Sequence, residues 1–213
     1  VSRYQAIVFD FDGVILDSVK IKSRVFERLF ESFGSDVVAK VRQHHLDNGG
    51  ISRFEKFHYI YNEILGETLG VDASKELGDK FSEYAFEEVC QANYIAGAYD
   101  FLEKNHKQTP LYVASGTPES ELVQITRHRQ LDGFFTGIYG SPRRKGELIN
   151  GIIKQLKIKP ADVVMIGDAS TDYEAAMETG TDFIGVGEDS KQFPDASIVI
   201  PDLTKLADFI HLS

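Results

Sequence analysis

The sequence predicts an α/β protein with a doubly wound, Rossmann-like parallel-sheet core and an inserted α-helical cap domain. Three observations point there. Short apolar, β-branched runs recur along the chain, helical patterns separate most of them, and the stretch from about Ser18 to Asn93 carries helical stripes without a convincing strand. A length of 213 residues suits one sizeable domain or a core with a smaller insertion, rather than two full-sized domains. The expected division is a core of residues 1–17 and 94–213 around a helical cap of residues 18–93.

In chain order, Ala6 to Phe9 is the first expected strand, apolar throughout as in a sheet covered on both faces. Within the insertion, Val25, Phe26, Leu29, Phe30 and Phe33 lie at helical spacing, and similar stripes run from Phe54 to Leu65 and from Leu77 to Val89. The aromatics of these stripes read as core packing, and Asn48, Gly49 and Gly50 read as a loop. Further strands are expected at Leu111 to Ala114, Val163 to Ile166, Phe183 to Val186 and Ser197 to Ile200. Helices are expected over Pro118 to Leu131, Arg143 to Leu156, Thr171 to Thr179 with Gly180 as its stop, and Leu203 to Ile210.

Composition narrows the function classes. A net charge of −10 argues against general binding to nucleic acid or an anionic membrane, both of which need a basic face. The single cysteine, Cys90, cannot form an internal disulfide, and no signal peptide, long apolar span or lipidation motif is evident. A cytoplasmic protein is expected. The sequence begins at Val1, so a leader removed in processing stays open.

Three expected strands end at small polar or acidic residues: Asp10, Ser115 and Asp168. In an open parallel sheet such ends share one crevice, so the three converge. Asp10 and Asp12 stand two residues apart after a buried run, where like charges repel unless a cation or a proton intervenes. Ser115, Gly116 and Thr117 precede Pro118 at a helix start, a geometry that serves equally as an N-cap or as an anion cradle of hydroxyl and backbone N–H groups. Arg143, Arg144 and Lys145 follow Ser141-Pro142 in what reads as a first helical turn, where each cation is unfavourable by about 0.3 to 1 kcal/mol, so an anion is expected to offset them. Asp168, with Asp172 four residues on, completes an acidic set, and hard oxygen ligands from Asp10, Asp12 and Asp168 favour magnesium. His44 and His45 read as ordinary surface or capping residues, with no zinc-like spacing.

DFDGV at 10–14, SGT at 115–117, Lys145 after SPRR, and GDASTD at 167–172 resemble, in order and strand-end context, the haloacid dehalogenase superfamily. The inserted helices match the position of the cap in its phosphoglycolate-phosphatase-like and β-phosphoglucomutase-like members. The resemblance implies that Asp10 is a nucleophile forming an aspartyl phosphate, and that Asp12 is the general acid/base and a magnesium ligand through its carbonyl. Ser115 and the Gly116 N–H would bind phosphoryl oxygens, Lys145 would neutralise charge, Asp168 would be a further metal ligand, and Asp172 would support the metal indirectly. Asp12 separates phosphatases and phosphomutases from family members that lack a second Asp. The expectation is a magnesium-dependent phosphatase of a small phosphorylated metabolite of the sugar-phosphate kind. The alternatives are a β-phosphoglucomutase-like enzyme and a non-catalytic phospho-ligand-binding protein. NGGISRFEKF at 48–57 resembles the substrate-contacting region of the mutase cap, which offers Arg53 and Lys56 as substrate contacts.

Overall fold

The computed structural model describes residues 3–188, 193 and 198–210. Its centre is a six-stranded parallel sheet of β1 (Ala6–Phe9), β2 (Leu111–Pro118), β3 (Gly137–Ser141), β4 (Val163–Gly167), β5 (Asp182–Val186) and β6 (Val199–Ile200), in the order β3-β2-β1-β4-β5-β6. β1 is fully buried, and its side chains alternate between two cores. Ile7 and Phe9 enter one with Phe101, Leu122 and Leu206, while Ala6 and Val8 enter the other with Leu148, Ile149 and Ala176. Helices therefore cover both faces, which is why the strand is apolar at every position.

The order runs outward from β1 in one direction through β2 and β3, and from β4 in the other through β5 and β6. The carboxyl ends of β1, β2 and β4 thus border the reversal point, where open α/β sheets form a crevice. The expected strand at 197–200 is present as β6, with Ser197 outside the described residues. β3 was not expected. Its sequence, GIYGS, holds two glycines and no run of β-branched residues, and it is held as a strand by pairing at the sheet edge rather than by its own pattern.

Between β1 and β2 the chain is helical: α1 (Val19–Leu29), α2 (Ser35–Asp47), α3 (Arg53–Tyr59), a π-helical turn at Ile60–Leu65, α4 (Val71–Gln91) and α5 (Ala98–Asn105). The expected stripe of α1 breaks at Phe30 into a short 3-10 turn. The aromatics of this segment pack on one another within the same core that Ile7 and Phe9 enter, with the Phe26 ring 4.9 Å from that of Phe81 and 5.6 Å from that of Phe57, as the helical spacing predicts. The remaining helices are α6 (Glu119–His128), α7 (Lys145–Leu156), α8 (Ser170–Thr179) and α9 (Leu206–Ile210). Because α7 starts at Lys145, Arg143 and Arg144 precede the helix. Both are exposed, and Arg143 pairs with Glu119, so only Lys145 among the three cations faces the helix dipole. Among the described residues no helix is long and apolar enough to cross a membrane.

Candidate active site

The three strand ends meet as the topology requires. Asp10 follows β1 and is buried, with one carboxylate oxygen accepting from the Phe11 N–H at 2.6 Å. The other pairs with the Lys145 ammonium at 2.8 Å. Lys145, in the first turn of α7, also pairs with Asp172 of α8, so one ammonium bridges two buried carboxylates and finds the anionic partner its helix position demands. Asp172 additionally accepts from the Ala169 N–H at 3.1 Å, which fixes it across the start of α8.

Asp10, Asp168 and Asp172 each offer a carboxylate oxygen, all within 4.8 Å of one another. Burial and the neighbouring charges of Asp172 and Asp12 push the Asp10 carboxyl up to about 7, against the pull of Lys145. Asp168 is raised well above the ordinary range by burial and by Asp10 and Asp172. One lysine does not neutralise three carboxylates in low dielectric. A divalent cation fits the donor set: hard oxygens, closely spaced, and no hydrogen bond among the described residues to the Asp168 carboxylate.

The Asp12 carboxylate turns away from that cluster. It accepts from Ser18 at 2.5 Å and from the Thr117 hydroxyl at 2.9 Å, and pairs with the Lys22 ammonium at 2.5 Å. Lys22 also donates to Thr117 at 2.6 Å. Enclosure alone would raise the Asp12 carboxyl, but Lys22 and the two hydroxyls hold it below the ordinary carboxylate range. The two carboxyls are thus separated in the reverse of the sense that an ionised Asp10 and a protonated Asp12 would require. Asp10 shares its enclosure with other carboxylates, while Asp12 has a private cation.

At the end of β2, Ser115 and Thr117 are buried, and the Thr117 N–H donates to the Ser115 hydroxyl at 3.1 Å. Gly116 is required by a close approach, since a Cβ there would overlap the Gly50 carbonyl. Gly50 itself has φ +78°, and a Cβ on it would meet the Lys145 ammonium and the Thr171 hydroxyl. The Thr171 hydroxyl donates to the Gly49 carbonyl at 2.6 Å. The loop expected at 48–50 therefore lies backbone-down on the site.

Helices α1, α2 and α3 close the rest of a cavity of about 600 Å³ that contains Asp10, Asp12, Ser115, Asp168, Arg53 and Lys56. Arg53 is tied to Glu121 of α6 at 2.7 Å and to Ser82 at 2.9 Å, with Phe81 under its guanidinium. Lys56 donates to Nδ1 of His45 at 2.9 Å. His45 is buried and lines the cavity, which corrects its reading as a surface residue: the aromatic ring of Phe26, 4.6 Å away, and Lys56 hold it inward. Sequence reasoning also missed Lys22, which looks like any exposed helical lysine, and Glu121, whose place in the first turn of α6 already suits a helix dipole. Only its position opposite Arg53 reveals its second partner.

The sequence matches the family described as haloacid dehalogenase-like hydrolase over residues 7–186. Among similar curated proteins, a phosphorylated carbohydrates phosphatase of Thermotoga maritima is 25% identical over 186 residues, covering 84% of this chain and 83% of its own. A phosphoglycolate phosphatase of Aquifex aeolicus is 25% identical over 225 residues, covering 96% and 97%. Among solved structures, a β-phosphoglucomutase of Clostridium difficile superimposes with a TM-score of 0.79 at 19% identity, covering 95% of this chain and 93% of that one.

Proposed function

The chain belongs to the haloacid dehalogenase-like hydrolase family, and from that premise we propose that it is a magnesium-dependent phosphatase of a small phosphorylated metabolite, working through an aspartyl phosphate on Asp10. The observation that carries the reading is the Asp10–Lys145 pair, whose carboxylate belongs to a cluster of three, in a cavity also lined by Ser115 and Gly116. Names of the curated relatives support a phosphorylated carbohydrate or phosphoglycolate as the kind of substrate. Residues 18–93 act as a cap on a core of residues 1–17 and 94–213, and the substrate is a metabolite of the cytoplasm.

The ion would be held by the carboxylates of Asp10 and Asp168 and by the Asp12 backbone carbonyl, with Asp172 in support. When bound, it supplies positive charge against the nucleophile and the phosphoryl oxygens. A carboxylate oxygen of Asp10 attacks phosphorus while the ester P–O bond breaks, and the Asp12 carboxyl gives its proton to the departing alkoxide oxygen. Asp12 then takes a proton from water as that water attacks the aspartyl phosphate. The Asp10 O–P bond breaks, releasing phosphate and restoring the carboxylate. Through both displacements the Ser115 hydroxyl and Gly116 N–H bind equatorial oxygens, and Lys145 offsets their charge. Lys22 and Thr117 hold Asp12 in place between the two proton transfers. Arg53, bound to Glu121 and Ser82, ties the cap to α6, and Lys56 is the cap cation that reaches substrate.

The test is phosphate release from a broad panel of metabolite phosphates with and without magnesium. Asp10→Asn is expected to lower release by at least about 10³-fold with an unchanged circular dichroism spectrum. Near-normal turnover in that variant would remove Asp10 from the nucleophile role. A phosphomutase is the second reading, supported by the 48–50 loop lying on the site, which would keep water from an aspartyl phosphate. Conversion of a hexose 1-phosphate to the 6-phosphate, primed by bisphosphate and without phosphate release, would select it. Binding without turnover across the panel would select the non-catalytic alternative.

A further inference from the structure

Four lysine or arginine side chains are buried among the described residues: Lys22, Arg53, Lys56 and Lys145. Three have carboxylate partners, respectively Asp12, Glu121, and Asp10 with Asp172. Lys56, only 3% exposed, has none among the described residues. Its ammonium donates to Nδ1 of His45 at 2.9 Å and to the His45 carbonyl at 3.2 Å, which leaves the third N–H of three without a protein acceptor. The Phe26 ring stands 5.6 Å away and offers no hydrogen bond.

A buried cation without a counter-ion is costly and persists where something else supplies the opposite charge. His45 cannot supply it. Burial and the Lys56 charge push its imidazole down to about 3, so it is a neutral acceptor that orients the ammonium. Lys56 itself is pushed down to about 7 by burial and by Lys22, and an anion beside it would restore the protonated form. Lys56 and His45 line the same cavity as Asp10, Ser115 and Asp168, and the charges of Asp10 and Lys145 reach Lys56.

We propose that Lys56, held by His45, seats a second anionic group of the substrate, so that the cavity takes phosphate monoesters bearing a carboxylate or a second phosphate in preference to those with an uncharged leaving group. This rests on the phosphatase reading and names the substrate class. The phosphoryl group sits at Asp10, Ser115 and Lys145, and the other anion sits against α2 and α3. A charge-assisted bond in an enclosed site corresponds to a preference of about ten- to a hundredfold.

The first measurement is binding, which needs neither turnover nor a variant. Calorimetric titration of the magnesium-loaded protein would compare 3-phosphonopropionate, ethane-1,2-bisphosphonate and propylphosphonate. At least one of the two compounds with a second anionic group is expected to bind about tenfold or more tighter than propylphosphonate, and which one does so separates a carboxylate from a phosphate occupant. Equal affinities for all three would overturn the proposal. Lys56→Met is expected to bring the preferred compound to within about threefold of propylphosphonate, and a preference that survives in that variant would overturn the assignment to Lys56. Phosphate release from 2-phosphoglycolate against 2-hydroxyethyl phosphate, and from 3-phosphoglycerate against glycerol 3-phosphate, then separates the two readings. Release from every ester at equal kcat/KM sinks the subsite and leaves the phosphatase standing. A binding preference with no release from any ester does the reverse.

Discussion

The Lys22 ammonium donates to both the Asp12 carboxylate and the Thr117 hydroxyl, and this contact governs how Asp12 can exchange a proton. An ammonium beside a carboxylate favours its ionised form, so the proton that the proposed mechanism asks Asp12 to donate would be held loosely. Removing the ammonium in Lys22→Met raises the Asp12 pKa, and the protonated fraction persists to higher pH. The alkaline limb of the kcat/KM profile for phosphate release is therefore expected to move upward in pH, and an unmoved or lowered limb would mean that Lys22 does not set the Asp12 proton. Lys22 was not legible in the sequence, because a lysine two residues from Lys20 on a helix has the signature of a solvated face. Asp10, Ser115 and Asp168 were legible, since each follows an apolar run long enough to be a buried strand. The dipole conflict pointed to Arg143, Arg144 and Lys145 together, and the family resemblance singled out Lys145. Its two carboxylate partners come from elements far away in sequence, and no local pattern names them.

At the scale of elements, α3 meets α6 through the Arg53–Glu121 pair, with both side chains less than a tenth exposed and the guanidinium over Phe81. Breaking such a pair from one side leaves an uncompensated buried charge and typically costs about 3 to 5 kcal/mol, whereas replacing both members with apolar groups costs much less. Arg53→Met and Glu121→Leu are each expected to lower the urea midpoint strongly, and the double variant to recover most of the loss. Additive losses would show that the pair is not coupled. The helical character of the insertion was readable from aromatic spacing, as the Phe26, Phe57 and Phe81 contacts bear out. β3 and α2 were not. The first is a glycine-containing edge strand, and the second is a mostly exposed helix with only Val41 and His45 buried, too little for an apolar stripe.

For the whole molecule, the enclosed carboxylates tie stability to pH and to cation. The folded-state carboxyl of Asp10 lies at about 7, against an ordinary value of 3.8, so the folded protein holds a proton that the unfolded chain has lost. Its stabilising contribution is complete below 3.8 and disappears as pH rises toward 7. A cation held among Asp10, Asp168 and Asp172 would replace that proton. Magnesium is accordingly expected to stabilise the fold more at pH 7.5 than at pH 5, by a free energy reaching about 2.7 kcal/mol at a hundredfold excess over Kd, read as a larger rise in Tm at the higher pH. Asp168→Asn is expected to remove most of the shift, and a magnesium effect independent of pH would place the ion elsewhere. The position of β1 has a further consequence, for the order of assembly. Ile7 pairs with Leu111 and Ala6 with Val163, so the strand that leads to Asp10 is synthesised before either neighbour and gains the second only once β4 has been made. Pairings so distant along the chain carry a high closure entropy and fold slowly. Until they close, this strand is an apolar segment with two open edges, and the protein's exposure to aggregation during synthesis is concentrated there.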